Sequence, residues 1–142
     1  MLRKFFHFLH DLSVSLYRLT HGKIGGRVQG LPVLLLKTIG RKTGKERITP
    51  LGYFMNDGSY IITASNAGRD AYPGWFHNLR ANPRVAIEVK DRQIEAEAKV
   101  AAPEKRNVLW SQLISLSPAY ANYARKTSRE IPLVILRPLG NG

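Results

Sequence analysis

Residues 33–53 read VLLLKTIGRKTGKERITPLGY. Val33-Leu34-Leu35-Leu36 is a short, unbroken apolar run, the pattern of a strand buried on both faces. Gly40-Arg41-Lys42-Thr43-Gly44-Lys45 then makes a turn bounded by glycines and carrying three cations. The chain resumes at Arg47-Ile48-Thr49-Pro50-Leu51-Gly52-Tyr53 as a second strand. Two strands joined by a basic turn predict an anion pocket. The turn's N–H groups and its Arg and Lys side chains can converge on one phosphate or carboxylate.

Outward from this hairpin the same kind of element repeats. Asn56-Asp57-Gly58 separates Tyr53-Phe54-Met55 from Tyr60-Ile61-Ile62-Thr63-Ala64, predicting a third consecutive antiparallel strand. That strand runs into Ser65-Asn66-Ala67-Gly68-Arg69-Asp70, a polar loop of small residues. Such a loop lets a flat ligand approach the backbone, and it equally suits a plain surface connection. Pro73 to Pro83 predicts a short helix opened by Pro73 and ended by Asn82-Pro83. Its Trp75 and Leu79, four apart, can line a site or plug the core. Val85, Ile87 and Val89 alternate, as do Ile94, Ala96, Ala98 and Val100 beyond the turn at Lys90-Asp91-Arg92, which predicts a further hairpin. Pro103 opens a helix with Val108, Leu109, Leu113 and Leu116 as its expected buried stripe. Ser117-Pro118 breaks that helix. A second piece from Ala119 to Lys126 carries Tyr120 and Tyr123 on adjacent faces, and Ile131 to Leu136 is a last strand. Six strands in hairpins, with too few helices for βαβ alternation, predict a mainly β (α+β) fold: a closed or split antiparallel barrel.

The chain has 142 residues, no cysteine, and 22 Lys and Arg against ten carboxylates, a net charge of +12. One domain with its own core is expected at this length. Residues 31–142 form the barrel in this reading, and residues 1–30 an amphipathic helix with a Gly-rich linker. Ten of the cations, and only Asp11 and Glu46 among the carboxylates, fall in residues 1–50. The field therefore centres on the basic turn and calls for an anionic partner. Without cysteine, thiol nucleophiles, thiolate metal sites and disulfides are excluded. There is no nucleophile elbow, P-loop or dinucleotide fingerprint, and the carboxylates form no evident acid/base pair. Chemistry must then come from a bound cofactor. A flat aromatic cofactor with an anionic tail fits the basic turn, the small-residue loop and the Trp and Tyr residues. The same features suit a single-stranded nucleic acid.

Near the N-terminus Phe5, Phe8, Leu9, Leu12, Leu16 and Leu19 recur at helical spacing. Such a helix either packs on the domain's own core or lies on a membrane surface, the latter favoured by Arg3, Lys4, Arg18 and Lys23. His7, His10 and Asp11 interrupt it, so it is too polar to span a bilayer and is no secretory signal. A cytoplasmic location is expected, with peripheral membrane contact through residues 1–20 as its extension. His7 and His10 have no third ligand nearby, so no metal is expected.

Five blocks together resemble the deazaflavin-dependent nitroreductase and quinone reductase family. They are Gly40-Arg41-Lys42-Thr43-Gly44; Arg47 with Thr49-Pro50-Leu51; Ala64-Ser65-Asn66; Pro73-Gly74-Trp75-Phe76-His77-Asn78-Leu79 with Ala81-Asn82-Pro83; and Arg129-Glu130-Ile131-Pro132. The resemblance implies a split β-barrel related to the flavin-binding barrels. It implies the reduced 8-hydroxy-5-deazaflavin coenzyme (coenzyme F-420) as hydride source, and a quinone or nitroaromatic acceptor. By the same resemblance Lys42, Thr43 and Arg47 would hold the coenzyme phosphate, with Arg41 and Lys45 near its oligoglutamate tail. Ile48, Thr49, Pro50, Leu51 and Gly52 would follow the ribityl chain and ring. Thr63, Ala64, Ser65 and Asn66 would flank the ring, and Gly74, Trp75, Phe76, His77 and Asn78 would close over it. Tyr120 and Tyr123 match tyrosines on the substrate side, with Tyr120 the expected hydrogen-bond donor to the acceptor. Ser117 stands where nitroimidazole-activating members carry a further tyrosine. FMN is the alternative cofactor, because its phosphate would suit the same turn. A non-catalytic coenzyme- or nucleic-acid-binding barrel is a third reading, with nucleic acid the less favoured partner.

Overall fold

A computed structural model describes residues 14, 15, 17, 18 and 27–140 of the chain. In order these form β1 (Arg27–Val28), β2 (Leu31–Ile39), β3 (Glu46–Asn56), β4 (Ser59–Thr63), α1 (Gly74–Ala81), β5 (Arg84–Val89), β6 (Arg92–Val100), α2 (Pro103–Leu116), α3 (Ala119–Lys126) and β7 (Leu133–Pro138). Every strand pairing is antiparallel, in the order β1-β2-β3-β4-β7-β6-β5. A further pairing of β2 with β5, through Leu35↔Glu88, Leu36↔Ile87 and Lys37↔Ala86, closes β2 to β7 into a six-stranded barrel. Closure removes the exposed sheet edges that an open arrangement of these strands would carry.

The turns are local sequence effects. Asp57 and Gly58 both take positive φ, 50° and 77°, as a two-residue hairpin between twisted strands requires. Gln29-Gly30 does the same between β1 and β2, with φ of 53° and 81°. β1 therefore lies inside the stretch expected to be linker, where two strand residues surrounded by glycines leave no periodic signal.

Alternation decides which side chains fill the barrel. Leu34 and Leu36 of β2 point inward to meet Ile62, Leu79, Val85, Ile87, Ala96, Val134 and Leu136. Burying each such Leu or Ile stabilises the fold by about 1.5–3 kcal/mol. The outer faces are covered as well. Phe54, Ile61 and Leu133 pack beneath Leu109 and Leu113 of α2 and Tyr120 of α3. Val33 and Leu35 pack beneath Val14 and Tyr17. Being covered on both sides is why Val33-Leu34-Leu35-Leu36 is apolar without alternation.

Three expectations shift in phase. Helix α2 buries Leu109 and Leu113 with Trp110 and Ile114 partly buried beside them, whereas Val108 and Leu116 are exposed. At 100° per residue the docked face centres between Trp110 and Leu113, which turns Val108 to the opposite side. Val100, the last residue of β6, is likewise exposed rather than inward. The final strand begins at Leu133, two residues after Ile131. The stripe Phe5, Phe8, Leu9, Leu12, Leu16 and Leu19, and the histidines His7 and His10, lie outside the described residues. In that segment the described Val14 and Tyr17 face the barrel.

Tyr17 sits on the closure seam. Its hydroxyl donates to Val33 O at 2.9 Å on β2 and accepts from Lys90 N at 2.8 Å beyond β5. Beside it Arg18 pairs with Glu88 of β5 at 3.2 Å. The Tyr17 → Phe variant would strand a part-buried N–H and a carbonyl, at a cost of about 1–3 kcal/mol. Urea denaturation should show a lower midpoint with an unchanged slope.

Candidate active site

The basic turn after β2 is held by its own backbone. Gly40 N donates to Lys45 O at 2.7 Å and Gly44 N to Gly40 O at 2.8 Å. Lys45 N donates to Thr43 Oγ1 at 3.2 Å. A Cβ at Gly40 would stand 2.8 Å from Thr43 Oγ1 and 3.2 Å from Lys45 O, so a side chain there would displace Thr43 from its bond to Lys45 N. Asn78 of α1 ties the turn to the barrel. Its Oδ1 accepts from Arg41 N at 3.1 Å and Arg41 Nη1 at 3.4 Å, and its Nδ2 donates to the buried Thr38 Oγ1 at 3.2 Å.

These bonds change how the turn can meet an anion. The N–H groups of Gly40, Arg41, Gly44 and Lys45 are already used internally. The side chains of Arg41, Lys42 and Arg47 remain, and among the described residues none of them is ion-paired, whereas nearby Lys37 pairs with Glu46 at 3.9 Å. Unpaired cations around a concave wall form a charge-assisted site for a polyanion.

That wall is a cleft of about 480 Å³ lined by Gly40, Arg41, Lys42, Thr43, Arg47, Thr49, Gly74, Trp75 and Asn78. A second cleft of about 410 Å³ shares Thr49 and Trp75 with it. Its lining adds Pro50, Leu51, Gly52, Thr63, Ser65 and Asn66 from the strands and loop, and Tyr120 and Tyr123 from α3. The two clefts thus meet at Thr49 and Trp75; the first carries Arg41, Lys42 and Arg47, and the second carries the aromatic rings with one cation, Arg69.

Five of the residues expected at the site line neither cleft. Ala64 is fully buried, and Phe76 packs within the barrel. Ile48 points to the opposite face of β3, beside Val14 and Tyr17, because neighbouring strand residues alternate. His77 stands against Tyr72 and Phe76. Lys45 is exposed outside the cleft. Ser117 is also absent from the lining; it is buried, with Oγ donating to Gln29 O at 2.5 Å. Conversely, Gln29, Ala67, Arg69 and Pro73 line the second cleft. Arg69 and Ala67 belong to a loop whose small residues signalled it, but Gln29 gave no local signal.

The loop wall is strained and clamped. Asn66, Ala67 and Gly68 take φ of 47°, 55° and 79°, three left-handed residues in succession. Arg129 holds them, with Nε donating to Arg69 O and Nη2 to Ser65 O, both at 2.9 Å. The guanidinium also stacks on Tyr72, 4.8 Å from the ring centroid. Thr127 adds a hydrogen bond to Asp70 at 2.7 Å.

Against this loop packs α3, where a Cβ at Gly68 would stand 3.0 Å from Tyr123 O; its Tyr120 and Tyr123 rings stand perpendicular, 5.4 Å apart. Burial, reinforced by the neighbouring Tyr123, pushes the Tyr120 hydroxyl up to about 12. It is therefore a neutral hydrogen-bond donor throughout the physiological range.

The closed barrel thus bears a cationic cleft that opens onto an aromatic one, and comparison with known proteins gives its class. The family model described as F420H(2)-dependent quinone reductase matches residues 10–138. A protein of Mycobacterium tuberculosis (strain H37Rv) named F420H(2)-dependent quinone reductase is 43% identical over 133 residues, covering 90% of this chain and 87% of that one. A solved structure of an F420-H2 dependent reductase (FDR-A) matches with a TM-score of 0.69 and 34% identity, over 75% of this chain and 94% of that one. Another, described as a domain-swapped dimer, gives 0.70 and 30% over 92% and 98%. The chain belongs to the F420H(2)-dependent quinone reductase family.

Because Tyr120 keeps its proton longer in the folded than the unfolded chain, its contribution to stability is present below the ordinary tyrosine value. It is lost as pH rises from about 10 to 12. Spectrophotometric titration of the folded protein should show a late phenolate step near 12, and the Tyr120 → Phe variant should lack it.

Proposed function

We propose that this protein binds coenzyme F-420 across the two joined clefts and uses it to reduce a quinone-class acceptor beside Tyr120. The observation that carries this reading is the meeting of the cationic and aromatic clefts at Thr49 and Trp75. A coenzyme with a flat ring at one end and a phosphate and carboxylates at the other matches that polarity. The donor set fits: three cations without an ion pair among the described residues face one cleft, and the next carries aromatic rings with a single cation, Arg69. When bound in its reduced form, the coenzyme supplies a hydride to the acceptor.

The residues of the chain then orient and shield. Lys42 and Arg47 with Thr43 hold the phosphate, and Arg41 lies toward the tail. Thr49 to Gly52 lie along the ribityl chain and ring. Thr63, Ser65 and Asn66 flank the ring, and Gly74 and Trp75 close over it. Asn78 acts indirectly, fixing Arg41 and the turn. Tyr120, held neutral, donates a hydrogen bond to the acceptor oxygen, where negative charge develops during reduction. Glycine at position 52 makes room, since a Cβ there would stand 3.3 Å from the Tyr120 hydroxyl.

FMN would place one phosphate in the cationic cleft, whereas three cations lining about 480 Å³, none ion-paired among the described residues, favour a longer polyanion. Nitroaromatic compounds are a further acceptor class under the same reading. Peripheral membrane contact through residues 1–20 extends it to lipid-soluble quinones. No described helix is long and apolar enough to cross a membrane.

Parallel fluorescence titrations with coenzyme F-420, FMN and an oligonucleotide test the proposal. Tight binding of coenzyme F-420 is expected, and binding of the oligonucleotide alone would sink the reading. Replacing Lys42 and Arg47 together by Ala should abolish coenzyme binding. The Tyr120 → Phe variant should bind the coenzyme nearly normally and turn over at least about tenfold more slowly.

A further inference from the structure

We infer that Gln29 is a positioning residue for the acceptor end of the cleft, orienting the Tyr123 hydroxyl so that its hydrogen points at the acceptor. This rests on the proposed function and adds a residue that neither the basic turn nor the tyrosines announce.

Gln29 Nε2 donates to Tyr123 Oη at 2.6 Å, across 94 residues of sequence. Gln29, Tyr120 and Tyr123 line the same cleft. A phenol oxygen has one hydrogen to donate and lone pairs to accept. With one lone pair engaged by the carboxamide, the Tyr123 hydrogen is directed away from Gln29 and is free for a ligand oxygen. The cleft then presents two phenolic donors, from Tyr120 and Tyr123, on rings set perpendicular to each other.

The backbone that carries this carboxamide is fixed by the β1–β2 hairpin turn. Gln29 is left-handed at φ 53°, a conformation costing a glutamine on the order of 1 kcal/mol or more. Two contacts hold it there. Gly30, at φ 81°, completes the two-residue turn, and the buried Ser117 Oγ donates to Gln29 O at 2.5 Å. Ser117 thus serves the cleft through Gln29 rather than by lining it. The turn thus fixes the backbone of Gln29 and the Ser117 bond fixes its carbonyl, so the carboxamide reaches Tyr123 from a defined position.

Other charged or titratable groups face the pair. The Lys126 ammonium lies 5.8 Å from the Tyr123 ring centroid. Arg69 and Tyr120 line the cleft. These residue types ordinarily titrate at about pH 10 or above, whereas a carboxyl introduced at position 29 ordinarily does so near about 4.3, so its pH effect falls in a separate range.

The test is the near-isosteric Gln29 → Glu variant, loaded with oxidised coenzyme so that no turnover occurs and probed with duroquinone. An ionised carboxylate only accepts hydrogen bonds, so it captures the Tyr123 hydrogen. Above neutral pH duroquinone should bind about tenfold more weakly than to wild type, the worth of one hydrogen bond. As pH falls through the ordinary carboxyl range, about 5 to 4, and the introduced carboxyl regains its proton, affinity relative to wild type should recover. In a Tyr123 → Phe background the Gln29 → Glu change should add nothing. Affinity equal to wild type at every pH, a loss that does not recover on acidification, or an undiminished effect in the Tyr123 → Phe background would each overturn the inference. If wild type itself fails to bind the coenzyme, the proposed function falls and the inference falls with it.

Discussion

The pairing of β2 with β5 is the constraint on which the rest of the molecule depends. Only three register pairs make it, Leu35↔Glu88, Leu36↔Ile87 and Lys37↔Ala86, between segments some fifty residues apart. Without it the sheet would be open, with β2 exposing apolar side chains on an unpaired edge. With it, the inward residues of six strands share one core. The outer apolar face of β2 must then be covered from elsewhere, and Val14 and Tyr17 cover it while the Tyr17 hydroxyl bonds both sides of the seam.

Closure also determines where the site lies. It brings the end of β2, and so the basic turn, against α1, where Asn78 bonds both Thr38 and Arg41. The polar loop after β4 is placed by a second long-range contact, the Arg129 clamp on Ser65 and Arg69. Two rigidly tied loops on one barrel rim leave a groove between them, with Trp75 at its middle. The cations stay unpaired because the described carboxylates near the turn are either engaged, as Glu46 is with Lys37, or absent. Their mutual repulsion destabilises the unliganded protein, and a polyanion relieves it.

Much of this was legible in the sequence because the relevant signals are local. The apolar run of β2, the left-handed glycine turns and the basic hexapeptide each follow from side chains a few residues apart. What could not be read arises from contacts across the fold. Ile48 is written beside two site residues yet points away, because strand alternation outranks proximity. Phe76 and His77 follow Trp75 in the chain, but the face of α1 that borders the groove carries Gly74, Trp75 and Asn78. Gln29 lies among glycines in a presumed linker, and its relevance depends on α3, about 90 residues later. The phase of α2 was likewise decided by what it packs against, which the spacing of Val108 and Leu116 alone does not reveal.

The central claim is that the cationic and aromatic clefts are one site, divided between a tail and a ring. Its most direct test compares the complete coenzyme with its ring-and-ribityl fragment, which lacks the phosphate and tail, by fluorescence titration at low and high salt. If the claim holds, the complete coenzyme binds at least about 100-fold more tightly at low salt, as two charge-assisted hydrogen bonds would give. That advantage shrinks as salt screens the cations, while the fragment's affinity barely changes. Equal affinities, or an advantage indifferent to salt, would contradict it.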